Sequence, residues 1–156
     1  MELEKQLIKL RELAQLDVDA ISLYEEAINR ITVPLISERI AEFRVDHLSH
    51  VQDLNDEIVG LGGQPVPPLP DLKGTLLRGF TAVTSVMGNQ AAVMAMISNE
   101  ELTNRTYDSA LKLDWPAAQR ALIERNNADE KRHLAWLKSA AKEKIWESEV
   151  SAGSHV

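Results

Sequence analysis

The chain has 156 residues, no cysteine and a formal net charge of −7. Without thiols it holds no disulfide, thiolate zinc site or iron–sulfur cluster, and scattered basic residues in an acidic chain argue against nucleic acid as a partner. Aromatics are only 4% of the chain and helix formers dominate, so the composition favours a single all-α domain over a sheet.

The first residues, Met1 to Lys5, carry charge and lack an apolar h-region. No apolar run approaches the roughly 18 residues that a membrane span needs. A cytoplasmic protein without membrane contact is the expectation. The first helix is predicted over Glu2–Ile31, with Leu3, Leu7, Leu10, Ala14, Asp17, Ile21, Tyr24 and Ile28 forming a seam of alternating three- and four-residue steps. Pro34 marks a short connection and Ser37 reads as the next N-cap. The second helix then places Ile36, Ile40, Phe43, His47, His50, Leu54 and Leu61 on one side.

The run from Gly60 to Pro70, rich in Gly and Pro, ends that helix and begins a long crossover between two helix pairs. Leu72–Met87 reads as a short amphipathic helix with Leu76, Leu77, Phe80 and Val83 apolar. A third long helix is predicted from about Gln90 to Leu113, burying Val93, Ile97, Glu100, Asn104, Tyr107 and Leu111. Asp114 and Pro116 read as the cap and first turn of a fourth helix that runs to about Glu147 and buries Ile123, Asn126, Glu130, His133, Leu137 and Ala140. The expected domain is thus residues 1–147, with 148–156 a disordered tail.

One set of polar residues occurs twice. Asp17, Tyr24, Asp46, His47 and His50 correspond to Glu100, Tyr107, Asp129, Glu130 and His133 at a constant offset of 83 residues. Apolar pairs such as Ala27 and Ala110 keep the same offset. Two similar helix pairs are therefore expected to face each other, with ionisable groups from four helices meeting inside. A carboxylate left ionised and unpaired on such a seam costs several kcal/mol. Asp17, Glu100 and Glu130 lie on seams that carry no Lys or Arg, so protonation, water, the histidines or a cation must compensate them. Three imidazoles at one level favour a divalent metal, since His and carboxylate donors together suit Fe, Mn or Zn.

Glu130 and His133 share a helix face one turn apart, the pair used in di-metal carboxylate bundles. Asp46 and Asp129 each precede a candidate histidine by four residues. On antiparallel neighbours Asp46 would accept from His133 and Asp129 from His50, as carboxylates do behind metal-bound histidines; the plain alternative is ordinary surface acids. Tyr24 and Tyr107 would fill the core and point at the site without ligating. Asn104 and Asn126 read as interhelical hydrogen bonders, and Met87, Met94 and Met96 as packing. His155 has no expected role.

The segment Asp17–Tyr24 resembles the ligand stretch of the first helix in the ferritin-like superfamily, bacterioferritin and rubrerythrin in particular. Asp46–His50 with Leu61–Pro65 resembles the second helix, and Asp129–Leu137 the fourth. The stretch Gly74–Phe80 is similar to a bacterial four-helix-bundle family known only as a domain of unknown function. The resemblance implies a ferritin-like antiparallel bundle with Asp17 and Glu100 as terminal ligands, Glu130 as a bridging carboxylate, and His50 and His133 binding one metal each.

Two departures stand out. Asp17 is one methylene shorter than the usual Glu. His47 occupies the place of the second bridging glutamate, where it either ligates or hydrogen-bonds Glu100 or Glu130. A neutral imidazole does not bridge two ions as a carboxylate does, so weaker dinuclear binding, an asymmetric pair or one tightly held ion is expected. Leu48 stands where bacterioferritins place their haem methionine, so no haem is expected. Too little patterned sequence follows the fourth helix for assembly into a twenty-four-subunit cage; a homodimer along exposed helix faces is the expected assembly. The implied cofactor is one or two ions of Fe or Mn, and the implied chemistry is oxidation by dioxygen or peroxide, or oxidation of iron. The alternative is a non-enzymatic bundle with a degenerate or Zn-filled site serving a structural or stress-related interaction.

Overall fold

The computed structural model describes residues 1–70 and 88–147. The helix expected over Leu72–Met87, Met87 itself, and the tail from Ser148 with His155 lie outside the described residues. Those described are all-helical, with no strand among them. Four long helices carry the structure: α1 (Leu3–Arg30), α2 (Pro34–Gly60), α3 (Asn89–Leu111) and α4 (Ala117–Lys142). None of the described helices is long and apolar enough to cross a membrane.

α1 packs on α2 and α3, and α4 packs on α3 and α2. Each neighbouring pair is antiparallel: His47 of α2 meets Asp17 of α1 while Arg44 meets Glu25. Across the other interfaces Tyr24 meets Glu100 and Asp17 meets Tyr107, and His50 meets Asp129 while Asp46 meets His133. α2 and α3 therefore run in the same direction, which is why no short turn joins them.

The helix ends correct the sequence reading in three places. α2 begins at Pro34 with Val33 as its cap, not at Ser37. Pro at the first helical position loses no hydrogen bond, because that N–H has no intrahelical partner; the Ser37 hydroxyl instead donates to Pro34 O at 3.3 Å. At α4 the cap is Pro116, with no side-chain capping bond, so Asp114 does not cap it. The same helix stops at Lys142, because Lys144 adopts φ 50° and breaks the ladder before a further helical turn at 145–147.

α1 buries Leu10, Ala14, Asp17 and Tyr24 as predicted, but its buried face is wider than the predicted seam and leaves part of that seam at its edge. Leu3 is half exposed, and Leu13, Ala20 and Ala27 are buried where Ile21 and Ile28 are only partly so. Met94, expected to pack, is 48% exposed.

The C-terminus of α2 closes as a Schellman motif: Gly62 N–H donates to Val59 O and Gly63 N–H to Ile58 O, both at 2.9 Å. Gly62 has φ 86°, a conformation that a Cβ disfavours. Asn55 pins the chain beyond, donating to Val66 O at 3.0 Å and accepting from Val66 N–H at 2.8 Å. At the opposite end, Asn89 accepts from Thr32 N–H at 2.8 Å and donates to the Thr32 hydroxyl at 3.0 Å, tying the α1–α2 turn to the start of α3. Two apolar clusters result. One gathers Leu23, Tyr24, Ile36, Ile40, Phe43, Met96 and Leu137; the other gathers Leu10, Leu13, Leu54, Ile58, Tyr107, Leu122 and Ile123. Between them lies the layer of ionisable groups.

Candidate metal centre

Periodicity aims six side chains at this layer: Asp17 from α1, His47 and His50 from α2, Glu100 from α3, and Glu130 and His133 from α4. All are buried, none more than 2% exposed. They form two overlapping donor groups with ligand atoms mutually within 4.8 Å: Asp17, His47, His50 and Glu130 in one, and His47, Glu100, Glu130 and His133 in the other. Among the described residues no Lys or Arg pairs with any of them.

The hydrogen bonds around the cluster are reciprocal between the two halves. His50 donates through Nε2 to Asp129 at 2.9 Å, and His133 donates through Nε2 to Asp46 at 2.8 Å. Each ring thus turns Nδ1 inward. The Tyr107 hydroxyl donates to Asp17 Oδ2 at 2.5 Å, and the Tyr24 hydroxyl donates to Glu100 Oε1. Glu130 apart, each acid or imidazole of the layer has a hydrogen-bond partner from the other half. Asn104 donates across to the Glu130 backbone carbonyl at 3.0 Å, and Asn126 donates to the Tyr107 hydroxyl at 3.4 Å.

His47 sits in the middle. Its Nδ1 is 2.7 Å from Asp17 Oδ1, and its Nε2 is 3.3 Å from Glu100 Oε1. Glu130 is the exception to this saturation. Neither of its carboxylate oxygens has a hydrogen-bond partner, and neither does His133 Nδ1, although all three are buried. Oε1 of Glu130 lies 3.2 Å from His50 Nδ1, and Oε2 lies 3.6 Å from His133 Nδ1.

The electrostatics follow. Burial opposes ionisation of Asp17, but the hydrogen bonds and charges of His47 and His50 outweigh it and hold the carboxyl well below its ordinary value. Glu100 behaves alike, with burial overcome by its contacts with His133 and His47. Burial pushes Glu130 well above its ordinary value; the charge of His47 pulls it back in part, while Glu100 and Asp17 add to the rise. For His50, burial is outweighed by Asp17 and Asp129, which raise it from 6.5 to about 9. His47 is raised likewise against its burial by Glu130, Asp17 and Glu100. Burial and the neighbouring acids keep Tyr24 and Tyr107 protonated, so both serve as donors.

Two contacts lay beyond the sequence reading. Arg132 donates to Asp46 Oδ2 at 2.7 Å and to Asp129 Oδ1 at 3.1 Å, joining the two carboxylates that hold the histidines. Its spacing of three from Asp129 was the available signal. Phe43, read only as core, stacks on His133 with ring centroids 4.3 Å apart. Glu101, one residue off the seam, faces outward and pairs with Lys138 at 3.5 Å.

Fold and site together define an all-helical protein with a buried, internally duplicated layer of carboxylates and imidazoles. The chain belongs to the family described as Domain of unknown function (DUF2383), whose match covers residues 5–113. That span takes in α1 from Lys5 onward and all of α2 and α3, with Asp17, His47, His50 and Glu100; Glu130 and His133 lie beyond it. No curated protein matches the chain.

Proposed function

We propose that the chain is a ferritin-like four-helix bundle whose central cluster binds one or two divalent ions, iron or manganese, in support of oxidation by dioxygen or peroxide or the oxidation of iron. The observation that carries metal binding is Glu130: a buried carboxylate with both oxygens unpartnered, facing the inward Nδ1 atoms of His50 and His133. A carboxyl so placed keeps its proton, as its raised value shows, until a cation takes the proton's place and receives its lone pairs. The donor set fits such a cation. Asp17, Glu100 and Glu130 supply hard oxygen donors, the imidazoles supply nitrogen, and Asp46 and Asp129 fix each ring through its outer nitrogen.

The antiparallel neighbours and the same-direction pair α2 and α3 agree with the topology of ferritin-type bundles. A bound iron or manganese would supply a change of oxidation state. The protein's part is to orient the donors, to keep Tyr24 and Tyr107 protonated against Glu100 and Asp17, and to exclude water from the layer.

A second reading keeps the metal and drops the chemistry. Complete burial of all six donors favours a closed site, filled by zinc and serving stability, since structural sites are closed and catalytic ones keep an open position. Elemental analysis of protein purified without chelator separates the two: iron or manganese supports redox chemistry, and zinc supports the structural role. In either case chelation lowers the melting temperature and re-addition of the ion restores it, because a ligand bound only by the folded state stabilises it. A melting temperature indifferent to chelator, together with no bound metal and a Glu130→Ala variant as stable as the parent, would overturn both.

A further inference from the structure

His47 occupies the one inner position where the two halves differ in kind, since the other half supplies Glu130 there. It is also shared, with Glu130, by both donor groups. A different ring nitrogen serves each group. Nδ1 lies 2.7 Å from Asp17 Oδ1 and 3.4 Å from Glu130 Oε1, on the side of His50. Nε2 lies 3.3 Å from Glu100 Oε1, on the side of His133. Glu130 divides in the same sense, Oε1 toward His50 and Oε2 toward His133.

Resting on the metal reading above, we infer that His47 is a bridging ligand, binding one divalent ion through Nδ1 and a second through Nε2, beside the carboxylate of Glu130. A neutral imidazole has one lone pair for a metal and one N–H. When both nitrogens bind, the ring has given its N–H proton to solvent and carries a negative charge. The charge count favours this arrangement. Three buried carboxylates offset three of the four positive charges on two divalent ions, and the imidazolate offsets the fourth. With no Lys or Arg among the described residues pairing with the layer and six donors shut from solvent, an unbalanced charge would carry a large desolvation cost. Histidine in place of a bridging glutamate then keeps the anion count needed for two ions. The negative ring forms only when both ions are present, because the second ion displaces the proton left on the ring after the first has bound.

The test uses the full chain with isotope-labelled histidine ring nitrogens, stripped of metal and loaded with NMR-active cadmium. Two cadmium resonances of equal intensity are expected. Both ring nitrogens of His47 should be split by cadmium, while His50 and His133 are split at Nδ1 alone. Cadmium coupling at a single His47 nitrogen, or an N–H proton retained on that ring, with His50 and His133 still coupled, overturns the bridge and leaves metal binding intact. No coupling at any histidine overturns the metal reading itself. His47→Gln should take up one cadmium and His47→Glu two, each judged by mass spectrometry on protein with native helical content. Two cadmium ions in His47→Gln would also sink the bridge, and should that variant fail to fold, the labelled parent protein decides.

Discussion

Protons and metal ions compete for the same atoms in this cluster. Without metal, His50 stays charged to about pH 9 because Asp17 and Asp129 outweigh its burial. A histidine raised in the folded state contributes stability that is complete below its unfolded value near 6.5 and is lost as pH climbs through the folded one. Glu130 acts in the same direction: its raised value means that the unfolded chain sheds that proton first, so stability falls as pH rises past the ordinary carboxyl range. Asp17 and Glu100 work oppositely, their contribution vanishing as pH drops through the acid range. Chelator-stripped protein is therefore expected to lose melting temperature steadily from pH 6.5 to 9, whereas metal-loaded protein does not, since ions stand in for the protons. Calorimetry of both forms across that range checks this, and a flat profile for the stripped protein would contradict a charged His50.

At the scale of helices, the junctions depend on backbone more than on side-chain caps. No side-chain capping bond starts any of the four helices, and the end of α2 rests on the left-handed backbone of Gly62. Gly62→Ala should cost about 1 kcal/mol, read as a lower denaturation midpoint with unchanged metal content, because the space around that Cβ is empty and only the backbone is strained. A loss of metal together with stability would mean that the crossover shapes the centre directly. The same dependence explains what could be read from the sequence. Heptad spacing located four helices and the level of their polar residues, because burial imposes that period. Ser37 and Asp114 misled as caps, since capping chemistry is local and the tertiary turn had already set the helix starts at Pro34 and Ala117. The full width of α1's buried face was hidden by Ala20 and Ala27, too small to stand out beside Ile21 and Ile28. Duplication made the inner six residues and their four partners legible; Arg132 was not, because an exposed guanidinium reads as ordinary surface.

For the molecule as a whole, the ionisable layer separates two apolar clusters that would otherwise join. Such a layer stabilises only while every charge in it is answered. Replacing the six inner residues together by leucine or methionine should give a chain that, in chelator, melts above the stripped parent. Glu100→Leu alone should melt below it by several kcal/mol, because His47 is left with fewer partners at a site closed to water. Thermal unfolding of the three proteins decides. A six-fold variant less stable than the stripped parent would mean that the polar contacts alone hold the helices in place.

Arg132 gives this layer an outward connection. One exposed guanidinium grips both Asp46 and Asp129, and behind them stand His133 and His50 on opposite sides of the centre. The two imidazoles are consequently anchored to a common post at the surface. Whatever displaces that one exposed cation therefore acts on both sides of the centre together.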